Sequence, residues 1–89
     1  MKWTIKIDRR VEKQLKQLDK LQAQRILGFL FERVATLENP RDIGEALQGE
    51  QLGSLWKYRV GDYRIISQIK DAEIEILVLK IGHRREVYR

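Results

Sequence analysis

Residues 2–7 alternate. Trp3, Ile5 and Ile7 fall on one side and Lys2, Thr4 and Lys6 on the other, the period of a half-buried strand. Asp8 suits a helix N-cap, and from Arg9 the period changes. Val11, Leu15 and Leu18 recur at i, i+4 and i+7, with Arg10, Glu12, Lys13, Lys16 and Gln17 on the wet side. After a short turn at Asp19-Lys20, a longer helix is predicted to run to about residue 38. Ala23, Ile26, Leu27, Leu30, Val34 and Leu37 form its stripe, and Asn39-Pro40 ends it because proline lacks an amide donor. Gly28 costs this helix about 1 kcal/mol relative to alanine, which predicts close approach to the neighbouring helix. Phe29 lies off the stripe, either as an isolated surface aromatic or as a contact for a partner protein. Residues 41–52 read as a loop with one helical turn over 44–47.

The remainder reads as strands over 53–60, 63–70 and 73–81, rich in β-branched and aromatic residues. Gly61-Asp62 and Asp71-Ala72 suit tight two-residue hairpins. The order is therefore β-α-α-β-β-β. It predicts one α+β domain over 1–89, a helical hairpin packed on a mostly antiparallel four-stranded sheet that the first strand joins.

Composition narrows the classes that fit. At 89 residues the chain can bury one modest core and no second one. It has no cysteine and a single histidine, His83, which leaves no disulfide framework and no thiolate zinc site and predicts no metal or cofactor. The N-terminal residues lack the apolar segment of a secretion signal, and the longest apolar run is too short to span a bilayer. A cytoplasmic protein with no membrane partner is expected. The net charge of +5 favours polyanionic or acidic-protein partners. That charge is spread along the chain, with ten basic against eight acidic residues over 1–51 and eight against five over 52–89.

One place concentrates it. Period two puts Leu55, Lys57 and Arg59 on one strand face and Trp56, Tyr58 and Val60 on the other. If Gly61-Asp62 is a two-residue turn, Val60 pairs with Tyr63, Arg59 faces Arg64 and Lys57 faces Ile66. Like charges directly opposite are destabilising. The group is either a solvated polar face or a site for a phosphate or oxyanion, for which a guanidinium fork and a lysine point charge suit different tasks. The run Gly82-His83-Arg84-Arg85-Glu86-Val87-Tyr88-Arg89 follows the last strand and is expected near Arg59 and Arg64.

Three strings, Leu47-Gln48-Gly49, Trp56-Lys57-Tyr58-Arg59-Val60-Gly61-Asp62-Tyr63-Arg64-Ile65-Ile66 and Ile81-Gly82-His83-Arg84-Arg85-Glu86-Val87-Tyr88, closely resemble the RelE family of type II toxins. The resemblance covers the whole chain in element order. It implies a ribosome-dependent endoribonuclease that enters the ribosomal A site, cuts mRNA without a metal and thereby blocks translation. It also implies an acidic, RelB-like antitoxin that holds the toxin inactive, contact with rRNA, and operator DNA bound only through the antitoxin complex. By position it carries over Lys57, Arg59, Arg64, Arg84 and Tyr88. Arg59 stands where the family has a second lysine, and His83 precedes Arg84 as in some relatives that use a histidine there.

In this reading Lys57 is the base, Arg64 the main phosphate stabiliser, His83 or Arg84 the acid, and Tyr88 a positioning or stacking residue. Cations beside a lysine oppose its charged form and so help it to act as a base. Two rival readings remain: a ParE-like inhibitor of DNA gyrase, and a basic RNA-binding domain without chemistry, whose affinity falls steeply with salt.

Overall fold

The computed structural model describes residues 2–47 and 54–83. Strand β1 (Thr4–Ile7) leads into helix α1 (Arg9–Gln17), whose N-cap Asp8 accepts a hydrogen bond from the Arg10 amide at 2.9 Å. Helix α2 (Lys20–Gly28) follows after Asp19 and continues as a wider π-helical turn over Phe29–Arg33 and a 3-10 turn over Val34–Thr36. In an α-helix, residues four apart drift around the axis; a wider turn reduces that drift. Ile26, Leu30 and Val34 accordingly all remain fully buried. The helix ends two residues before the predicted position. Its last turn is closed from outside, because the amides of Lys2 and Trp3 both donate to the Ala35 carbonyl at 2.9 Å.

Four strands complete the sheet: β2 (Glu45–Ala46), β3 (Leu55–Val60), β4 (Tyr63–Lys70) and β5 (Glu75–His83). Their order is β1-β5-β4-β3-β2, antiparallel except for the parallel edge pair β1 and β5. Two helices thus pack on a five-stranded, mostly antiparallel α+β sheet. The core lies between them, where Val11, Ile26, Leu30 and Val34 meet Tyr58, Ile65, Ile69, Ile76 and Val78. No helix among the described residues is long and apolar enough to cross a membrane.

Several local expectations are corrected. The sheet has five strands, not four, because residues 44–47 form no helical turn: Glu45 and Ala46 pair with Lys57 and Trp56. Gly44, at φ +79°, makes this possible. A side chain there would meet the Lys57 carbonyl at 2.5 Å, so only glycine brings the edge strand in. The link between β4 and β5 is a 3-10 turn over Asp71–Glu73 closed by Ile74 in the left-handed region at φ 51°, which is longer than a two-residue hairpin.

Gly28 does not admit the neighbouring helix. A Cβ there would meet only the Glu32 carboxylate, at 3.1 Å, in its own helix. Nor is Phe29 an isolated surface aromatic. Its half-buried ring stands edge-on to Tyr58, with centroids 5.9 Å apart.

Candidate active site

The Gly61-Asp62 turn, with Gly61 at φ 59°, fixes the register of β3 and β4: Val60 faces Tyr63, Arg59 faces Arg64 and Lys57 faces Ile66. The sequence predicts all three pairs. Tyr58, Val60 and Ile65 turn into the core, so Lys57, Arg59 and Arg64 share the sheet face that the helices leave open.

Three features hold this face in place from below. Tyr58 Oη donates to the Pro40 carbonyl at 2.6 Å, and Trp56 Nε1 donates to the Ile43 carbonyl at 2.7 Å. Burial pushes the Tyr58 hydroxyl well above the usual phenol range, against the opposing charge of Arg41, so it remains a donor. Arg41 lies over the Trp56 ring, 5.9 Å from its centroid, and forms a two-pronged ion pair with Asp71 at 2.9 and 3.0 Å. The segment over residues 40–43 therefore straps β3 at both aromatic positions.

On the open face, Gly44, Glu45, Lys57, Tyr58, Arg59 and Arg64 line a pocket of about 240 Å³. Arg64 is only 7% exposed, and its Nη1 donates to the carbonyls of Tyr63 at 3.3 Å and Gly61 at 3.5 Å. Its guanidinium is thus held against the turn, whereas Arg59 extends into solvent. Lys57 Nζ lies 3.1 Å from Glu45 Oε1, with the lysine side chain 12% and the glutamate 67% exposed. Chemically the pocket offers a buried guanidinium, an exposed one, an amine and a carboxylate, a set suited to gripping a phosphodiester while moving a proton.

Glu45 is the residue that sequence reasoning misses. Nothing in a two-residue strand announces itself, and its partner is known only once Gly44 is seen to draw the edge in.

His83 lies elsewhere. It is paired across the sheet with Tyr63, its ring edge-on to that tyrosine at 5.8 Å, on the helix-covered side rather than beside Arg59 and Arg64. Its expected place among the cations is thereby corrected. Arg84 and Tyr88, together with the string from Gln48 to Gly49, lie outside the described residues.

This fold matches that of known toxins. The family model described as ParE toxin of type II toxin-antitoxin system, parDE, matches residues 5–88. Toxin RelG of Mycobacterium tuberculosis is 25% identical over 89 residues, which is 100% of this chain and 99% of that protein. A mutant of the Escherichia coli toxin RelE in the free state superposes with a TM-score of 0.75 at 25% identity, covering 99% of this chain and 92% of that one. The RelE-RelB complex of Pyrococcus horikoshii gives a TM-score of 0.69 at 29% identity, covering 97% and 99%. A chain of a RelBE complex of M. tuberculosis reaches 0.79 at 21% identity, covering 94% and 100%, which speaks for the fold alone.

Fold and matches together define the toxin component of a type II toxin-antitoxin system. The chain belongs to the ParE toxin family, within the RelE/ParE superfamily. The RelE resemblance holds at the level of that superfamily, while the matching family model is the ParE one.

Proposed function

We propose that the protein is a ribosome-dependent endoribonuclease that cuts mRNA in the A site. The observation that carries this reading is the pocket of Lys57, Arg59 and Arg64, where two arginines face each other across strands at a cost to the sheet. Arg64, pinned to the Gly61 and Tyr63 carbonyls, is pre-aimed at a phosphate. Guanidinium donors fixed before reaction stabilise charge that develops in the transition state.

In the reaction Lys57 takes the proton of the RNA 2′-hydroxyl. The 2′-oxygen attacks the adjacent phosphorus, the bond to the 5′-oxygen breaks, and an acid protonates that leaving oxygen. Products are a 2′,3′-cyclic phosphate and a 5′-hydroxyl. The ion pair to Glu45 must open for the Lys57 amine to reach the substrate. Arg84 serves as the acid, since His83 stands on the other side of the sheet, and Tyr88 positions the nucleotide. No step uses a metal, so EDTA leaves cleavage intact when ribosomes are kept whole. The ribosome supplies the alignment that this acid-base set lacks.

A basic pocket is readily neutralised by an acidic segment, and a disordered antitoxin can wrap a small domain. Antitoxin complexes of RelE toxins support such a partner here.

The test is primer extension on a defined message in a purified translation system, with and without ribosomes. Wild type is expected to cut only with ribosomes and within the A-site codon. Arg64→Ala should lose about a hundredfold or more in rate, the scale for a deleted oxyanion donor, and Lys57→Gln should lose activity as well. Near-full cleavage by either variant refutes its assigned role.

A second reading has the ParE family match in its favour. It makes the target DNA gyrase, with inhibition of supercoiling and no cut message as its signature.

A further inference from the structure

We propose that the groove on the helix side of the Gly61-Asp62 turn is a nucleobase site for single-stranded RNA, with Tyr63 and His83 as its stacking wall. The proposal rests on the ribonuclease reading for its substrate, and on a separate part of the molecule for its evidence.

Two cavities meet there. One, of about 400 Å³, is lined by Gln14, Gln17, Leu18, Tyr63, Ile81 and His83; the other, of about 240 Å³, adds Gln22, Arg25, Gly61 and Asp62. Tyr63 and His83 belong to both, their rings at 82° to each other. Aromatic ring faces of this kind accept unstacked bases of any identity.

The wall behind them is rigid. Gln14 spends its amide on Ile81, donating to the carbonyl at 2.7 Å and accepting from the amide at 3.2 Å, which locks α1 to β5. Gln17 and Gln22 make no side-chain hydrogen bond among the described residues. Each therefore presents a donor and an acceptor in one plane, the pattern that reads a base edge.

The lining indicates the class of ligand. Among the described residues the groove carries one arginine and one aspartate beside two rings and the Gln17 and Gln22 amides, a lining that fits a neutral, planar, hydrogen-bonding group. Its position agrees. The Arg64 guanidinium bonds to the Gly61 and Tyr63 carbonyls from the open face, and the same turn lines the groove. A strand whose phosphate sits at Arg64 can round the turn and lay the next base against Tyr63 and His83.

The experiment is an NMR titration of the full chain with AMP, GMP, CMP and UMP, each beside inorganic phosphate. Nucleotides should shift the side-chain amides of Gln17 and Gln22 and the His83 ring, whereas phosphate alone should shift the Lys57, Arg59 and Arg64 face. The double variant Gln17→Ala, Gln22→Ala should weaken the preferred nucleotide by about tenfold or more, as loss of paired base contacts implies, and leave the phosphate response intact. Shifts confined to the open face, or unchanged affinity in the double variant, overturn the proposal. The failures separate cleanly: groove binding without ribosomal cleavage sinks the ribonuclease reading, and cleavage without groove binding sinks this one.

Discussion

On the covered face of β3 and β4, Tyr58 faces Ile65 and Val60 faces Tyr63, and the Tyr58 hydroxyl has its acceptor at Pro40. On the open face the same strands set Arg59 against Arg64, with Lys57 two residues away. The first arrangement is what folding alone selects, apolar volume filled and polar atoms matched. The second works against the sheet, since a glutamate or threonine opposite Arg64 would serve it better. Residues that make a fold less stable without closing a cavity or capping a helix are the ones to read as functional.

The largest effect should come from breaking the covered face. Tyr58→Ala removes a fully buried ring, its edge contact with Phe29 and the partner of the Pro40 carbonyl. It is expected to cost about 3–5 kcal/mol, the scale for truncating a buried aromatic, which urea unfolding would measure. A loss below 1 kcal/mol, to take a round figure under that range, would mean that the strap over residues 40–43 does not hold β3.

Arg59→Glu sharpens the contrast, because stability and activity should then move in opposite directions. Replacing the like pair by an opposite one should stabilise the sheet by about 0.2–1 kcal/mol while ribosomal cleavage falls. A variant that is less stable, or equally active, would show that the cations are an indifferent solvated surface.

The smallest effect concerns the strap. The Arg41 guanidinium, through its hydrogen bonds, holds the Asp71 carboxyl below the usual carboxylate range, and Asp71 in turn raises Arg41. A depressed carboxylate adds stability above its unfolded value and loses it as pH falls through the folded one. Asp71 is largely exposed, so screening keeps the contribution under about 1 kcal/mol. Asp71→Asn should lower the urea midpoint slightly at neutral pH, and the gap to wild type should close on acidification. A gap that persists in acid would assign the effect to packing on Trp56 rather than to charge.

What could be read in advance follows the range of the interactions. The hairpin at Gly61-Asp62 is a local signal, and with it came the register and the three-cation face. The α1 cap and stripe were equally local. Strand β2 was not legible, because two exposed residues carry no period and their pairing depends on a glycine whose value lies in the backbone opposite it. The π-helical turn after Gly28 leaves the apolar spacing almost as an α-helix would. His83 was misplaced for a related reason. Its side of the sheet is set by the longer link through Ile74 and by an irregularity between Ile66 and Ser67, where Leu79 has no partner. A single extra residue reverses which face every later side chain takes.

The edge pairing of β1 with β5 also governs when the protein comes into being. Thr4 lies against Glu75, so β1 must wait for β5 before it can pair. Such distant contacts form late and pay their loop entropy first. While the chain is still being translated, β1 has no neighbour and the helices have only part of their floor. The register ties residues 4–7 to residues 75–78, so a chain that lacks β5 offers β1 no strand to join.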